Sequence, residues 1–179
     1  MIRLFVALEL PAAAVEALVA FRDAEAGDAW RPVRDESLHL TLAFLGHRPE
    51  EDVERIRPVL EAAAGPAPRL RLGRALLLPR RRARVLCAEV EDRDGELAAL
   101  QARVSGGLAE AGVYEPETRP FTPHATVARL RSGARSPREA ATSGPEPVAF
   151  TGEALTLFRS RTGRGGARYE ALDRNTLRR

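Results

Sequence analysis

The chain has 179 residues, 44% of them hydrophobic and 30% charged, with 28 basic residues against 25 acidic ones. That length suits one domain or two small lobes around a shared core, and the composition excludes a disordered or fibrous chain. No apolar run approaches the roughly 18 residues of a membrane-spanning helix, and every basic residue is Arg, which excludes amine chemistry such as a Walker A phosphate loop, a PLP Schiff base or a lysyl adenylate.

Residues 2 to 8 read as a strand; Glu9 and Pro11 then break the apolar run without a small-residue cleavage site, so the expected address is the cytoplasm. Pro11 opens a helix whose Val15, Leu18, Val19 and Arg22 recur at helical spacing until Gly27 ends it. Residues 38 to 45 alternate as a second strand, closed by a Gly46-His47 turn. Pro49, Glu50 and Glu51 then begin a helix that Pro58 is expected to kink before Gly65. Strands over 69 to 78 and 84 to 91 flank an Arg-rich turn, and Asp94 is the expected cap of a helix carrying Leu97, Leu100, Val104 and Leu108 as one stripe. A strand over 122 to 130, a polar loop over 131 to 146, and strands over 148 to 158 and 167 to 172 around Gly163, Gly165 and Gly166 complete the map. The order predicts an α+β fold with largely antiparallel sheets.

Two strands of this map repeat one pattern: His39-Leu40-Thr41-Leu42 and His124-Ala125-Thr126-Val127. With only three His in the chain, chance would give two of them a Thr at the second following position in fewer than about 1% of cases. Residues i and i+2 share a strand face, so each segment presents an imidazole beside a hydroxyl while Leu40, Leu42, Ala125 and Val127 point to the core. Two imidazoles with ordinary pKa values near 6.5 can serve as general base and general acid at one pH, and in-line displacement at phosphorus needs that pair on opposite sides of the phosphorus. Thr41 and Thr126 supply donors for the equatorial oxygens, and Arg129 adds a fixed charge either on the odd-numbered face or at the strand's twisting end. The set needs no metal and no cofactor.

These segments, with Arg3-Leu4-Phe5-Val6-Ala7-Leu8, Arg159-Ser160-Arg161 and Tyr169-Glu170, resemble the 2H phosphoesterase superfamily, and within it the RNA 2',3'-cyclic phosphodiesterase branch long called 2'-5' RNA ligase. The resemblance implies one domain over residues 1–179 made of two intimate lobes in a bilobal, pseudo-twofold α+β fold. Two antiparallel sheets flanked by helices are expected to face a central cleft. It implies hydrolysis of RNA 2',3'-cyclic phosphate ends to 2'-phosphomonoesters, with reversible, ATP-independent 2'-5' joining of tRNA halves in some members. His124 would be the base, His39 the acid, and Thr41, Thr126 and Arg129 would hold the phosphate of an RNA substrate; the symmetric motif also permits the reverse assignment. The chain is expected to act as a monomer without a membrane. Two other readings are a 2H enzyme for a small cyclic phosphate or a 2',5'-oligoadenylate, and a non-catalytic module that binds RNA ends.

The remaining distinctive residues carry quieter expectations. Phe44 is expected in the core, and 5% aromatics offer no stacking platform on which Phe44 or Phe121 would be read as base contacts. His47 has no Thr at the second following position and is given no direct role, while Cys87, the single cysteine, reads as a buried inert thiol. The Arg80–Arg84 cluster either touches RNA backbone or keeps a hairpin tip soluble.

Overall fold

The structure, a computed structural model, describes residues 1–79, 82–135, 143–163 and 166–178. The chain runs β1 (Ile2–Glu9), α1 (Ala12–Glu25), β2 (Trp30–Pro32), β3 (His39–Arg48), α2 (Asp52–Ala63), β4 (Arg69–Leu78), β5 (Val85–Glu91), α3 (Glu96–Glu110), β6 (His124–Leu130), β7 (Ala149–Thr151), β8 (Ala154–Gly163) and β9 (Gly166–Thr176), with a 3-10 turn at Asp35–Ser37. The sheet order is β7-β4-β5-β6-β3-β1-β8-β9, β2 pairs with β6, and every strand pairing is antiparallel. The two expected half-sheets, β9-β8-β1-β3 and β6-β5-β4-β7, are therefore joined edge to edge through β3 and β6.

Alternation along β1 shows how the sheet divides its faces. Leu4, Val6 and Leu8 are buried in one cluster with Leu18 and Phe21 of α1, Ile56 and Leu60 of α2, and Leu100, Val104 and Leu108 of α3. The helices cover that face, as the leucine stripes predict. Arg3 and Phe5 point to the other face, where the cleft lies. No helix among the described residues is long and apolar enough to cross a membrane.

Several local expectations need correction. The Gly46-His47 turn is strand: β3 continues to Arg48, with Gly46 at φ +73° opposite Leu4 and His47 opposite Arg3. Glycine tolerates that angle, so the strand bends there without ending. Gly95, not Asp94, stands at the N-cap of α3, and the first-turn amides of Leu97 and Ala98 donate to the Asp92 carboxylate at 3.2 and 2.8 Å, while Asp94 pairs with Arg69. The strand expected over 148 to 158 is split by Gly152, where a Cβ would lie 2.7 Å from the Leu8 side chain.

Candidate active site

The joint between the half-sheets is a single residue pair, Leu40 opposite Ala125, the middle residues of the two His-x-Thr segments. Antiparallel register through that pair sets His39 across from Thr126 and Thr41 across from His124, so a pseudo-twofold axis passes between the motifs. Leu40–Ala125 is the one ladder pair between β3 and β6 among the described residues, and the residues flanking it on both strands line the cleft. Flanking strands continue the symmetry: β1 places Glu9, Leu8 and Ala7 opposite His39, Leu40 and Thr41, and β5 places Glu89, Ala88 and Cys87 opposite His124, Ala125 and Thr126. Both carboxylates pair with arginines, Glu9 with Arg174 at 2.9 Å and Glu89 with Arg74 at 2.8 Å.

Each motif strand also carries a β-bulge at the same place. Along β1 the partner jumps from Ala43 to Thr41, leaving Leu42 extra; along β5 it jumps from Ala128 to Thr126, leaving Val127 extra. Leu42 and Ala43 are consequently both buried, as are Val127 and Ala128, and the inside-outside phase is reset after them. The fifth residue after each histidine then turns to the cleft: Phe44, which is 55% exposed, and Arg129. This overturns the core placement of Phe44 and decides the face of Arg129. The bulge carbonyls find donors outside the ladder: the Gln101 side-chain amide donates to Leu42 at 3.3 Å, and the Val33 amide donates to Val127 at 2.8 Å.

Both imidazoles are oriented by backbone carbonyls two residues earlier. His39 Nδ1–H donates to the Ser37 carbonyl and His124 Nδ1–H to the Thr122 carbonyl, each at 2.7 Å, so in the neutral ring Nε2 is the free base. His39 Nε2 accepts from the Thr41 hydroxyl at 3.0 Å. The His39 ring lies 5.0 Å from Phe5 and 5.3 Å, edge-on, from Tyr169, centroid to centroid. Burial in this aromatic box pushes the His39 pKa down to about 4, against the Ser37 carbonyl, which favours the proton; Arg129 and His124 lower it further. Behind the strand, Arg22 of α1 donates to the Val33 carbonyl at 2.7 Å and to Asp35 at 2.6 Å, tying the helix to the segment that ends at Ser37.

His39, Thr41, His124, Thr126 and Arg129 all line one pocket of about 230 Å³. Arg3, Arg31, Ser160 and Tyr169 line it too, and among the described residues no Asp or Glu does. A small anion held by arginines, hydroxyls and two imidazoles is what such a lining suits. Arg31 lies on β2, a three-residue strand too short for any periodic signal in the sequence.

Residues 9–164 match the family model described as the 2'-5' RNA ligase superfamily. The chain belongs to that superfamily. It is 36% identical to the RNA 2',3'-cyclic phosphodiesterase of Thermus thermophilus over 98% of this chain and 90% of that one. It is 32% identical to the Escherichia coli K12 protein of the same name over 98% of this chain and 96% of that one. The crystal structure of E. coli LigT complexed with 3'-AMP matches with a TM-score of 0.83 at 30% identity, covering 99% of each chain. The superfamily resemblance read from the paired motifs, and the α+β fold it implied, are borne out.

In this superfamily member the residues given no role stay outside the reaction pocket. His47 is exposed on β3, and Cys87 is buried with its thiol pushed up to about 11 by desolvation, its Sγ 3.6 Å from the Thr126 hydroxyl. Arg80 and Arg81 lie outside the described residues, whereas Arg84 lines an adjoining pocket. Among the C-terminal arginines, Arg159, Arg161 and Arg174 are paired with Glu50, Glu170 and Glu9.

Proposed function

We propose that this chain hydrolyses RNA 2',3'-cyclic phosphate ends to 2'-phosphomonoesters by general acid-base catalysis with His39 and His124. The observation that carries this reading is the convergence of two His-x-Thr strands on one arginine-lined pocket that no carboxylate among the described residues borders. The relatives named RNA 2',3'-cyclic phosphodiesterase support the substrate class. Residues 1–179 act as one unit, because the half-sheets contribute one motif each and neither holds a complete site.

Water attacks phosphorus and gives its proton to His124 Nε2; the bond from phosphorus to O3' breaks, and O3' takes a proton from His39 Nε2. His124 is the base because it also borders a wide neighbouring pocket of about 780 Å³ through which a nucleophile can arrive, whereas His39 is boxed by Phe5 and Tyr169. Free His39 is neutral near pH 7, and the anionic phosphate between the arginines draws a proton onto it on binding. Thr41, Thr126 and Arg129 then hold the equatorial oxygens as charge builds. A 5'-hydroxyl in place of water gives 2'-5' joining by the same transfers, tRNA halves being one such substrate pair. The monomer suffices for this chemistry, and the cytoplasm is its expected compartment.

The experiment is incubation of a short RNA ending in a 2',3'-cyclic phosphate, with and without EDTA, followed by analysis of the product's phosphate position. A 2'-phosphate is expected under both conditions, with turnover reduced about 10²- to 10⁴-fold in His39→Ala and in His124→Ala. A 3'-phosphate product, loss of activity to EDTA with rescue by a divalent metal, or wild-type turnover in either variant would contradict the reading. Tight RNA binding without turnover would favour an end-binding module.

A further inference from the structure

The second pocket, about 780 Å³, adjoins the reaction pocket and shares Thr41, Phe44 and His124 with it, but His39 does not border it. Its size falls within the roughly 300–1,000 Å³ of small-molecule sites, far more than a single attacking water requires. Phe44 stands exposed between the two pockets because of the Leu42 bulge. Tyr114 and Phe121, half-buried against the core, line the far pocket with Ser105 and Gln101 of α3, and Arg84 lies at its rim. Aromatic faces, an amide and a hydroxyl are the groups that hold a nucleobase and its sugar, and an arginine beyond them suits a following phosphate.

We infer that this pocket is an acceptor subsite, which seats a nucleoside whose 5'-hydroxyl reaches phosphorus from the His124 side. The inference rests on the cyclic phosphodiesterase reading and adds to it where the second alcohol sits and which residues select it. The step balances without ATP: the 5'-oxygen bonds to phosphorus and its proton passes to His124, while the bond to O3' breaks and O3' takes a proton from His39. Side-chain atoms of Phe44 and Tyr114 would stack on the base, and Ser105 and Gln101 would meet polar edges. Because the Gln101 amide is already held by the Leu42 carbonyl, the acceptor pocket and the bulge that presents Phe44 are braced by one residue.

The test uses adenosine 2',3'-cyclic phosphate as donor and millimolar cytidine as acceptor, and measures the partition between 2'-AMP and 2'-5'-linked adenylyl-cytidine. Wild-type protein is expected to give linked product that saturates with cytidine. Ser105→Trp, which fills the pocket from α3, and Tyr114→Ala, which removes a stacking face, should each lower the linked product about tenfold or more while hydrolysis stays within about twofold. Preserved hydrolysis also reports that each variant is folded. Absence of linked product from active wild-type protein, or an unchanged partition in both variants, would overturn the inference. So would a raised KM for the cyclic phosphate itself in these variants, because the pocket would then hold the donor nucleoside. Failure of wild-type protein to hydrolyse the cyclic phosphate at all would instead refute the parent reading.

Discussion

At the scale of single residues, His39 decides how the site responds to pH. Its ring is neutral in the free protein because desolvation outweighs the Ser37 carbonyl. The native value, about 4, lies below the ordinary 6.5, so an unfolded chain takes up a proton that the native chain refuses between those values. Stability is therefore fully present above about pH 6.5 and declines as pH falls toward 4, with an upper bound of about 3 kcal/mol that the cleft-facing edge of the ring reduces. Replacement of His39 by Gln should flatten urea-unfolding stability between pH 6.5 and 4; an equal slope in both proteins would rule out His39 as its source. Binding of an anion reverses the bias. The His39 proton resonances should titrate near 4 alone and at a distinctly higher pH with sulfate, which does not itself titrate in this range. An identical midpoint with saturating sulfate would remove His39 as the ligand-charged acid.

At the scale of elements, the two bulges determine which side chains reach the phosphate. The period-2 alternation of residues 38–45 and 122–130 was readable, and it correctly put Leu40, Leu42, Ala125 and Val127 in the core. What alternation misses is its own interruption. Leu42-Ala43 and Val127-Ala128 are adjacent small or apolar pairs at matching positions in both repeats, and that shared irregularity is the one trace of the bulges in the sequence. A strand without the bulge would send Arg129 to the helix-covered face, where an unpaired guanidinium is costly. In the bulged strand Arg129 is exposed in the cleft, so Arg129→Gln should lower kcat/KM for a cyclic phosphate by about 10²- to 10³-fold with little change in urea midpoint. A variant with wild-type kcat/KM would remove Arg129 from the phosphate site. Gly152 shows the opposite sensitivity, since the break between β7 and β8 packs on fully buried Leu8. Gly152→Ala should cost about 1–3 kcal/mol of stability, measured by urea unfolding, and an unchanged midpoint would mean that Leu8 yields freely.

At the scale of the whole molecule, the family resemblance carried by the paired motifs implied the α+β fold, but not the single Leu40–Ala125 pair that joins the two half-sheets, because strand order depends on contacts between residues far apart in the chain. Nor did composition foretell the electrostatics. A formal net charge of only +3 suggests a weak field, yet acids beside the motifs and elsewhere are paired with arginines and do not line the reaction pocket: Glu9 with Arg174, Glu89 with Arg74, and Glu96 with Arg69. Arg3, Arg31 and Arg129 line that pocket, with no carboxylate among the described residues of its wall. Positive charge is therefore concentrated where an RNA end would enter, and single-stranded nucleic acid releases about 0.7 counterion per phosphate neutralised. If these three arginines each meet a phosphate oxygen of a short RNA, log kcat/KM should fall with log salt with a slope near −2, measured below saturation. Arg31→Gln should make that slope shallower by about 0.7, because β2 holds Arg31 directly opposite Arg129 and the loss removes one contact of the group. A salt slope near zero in the wild type would mean that the arginines orient the reacting phosphate without neutralising the chain that carries it, and the dependence on RNA length would then vanish as well.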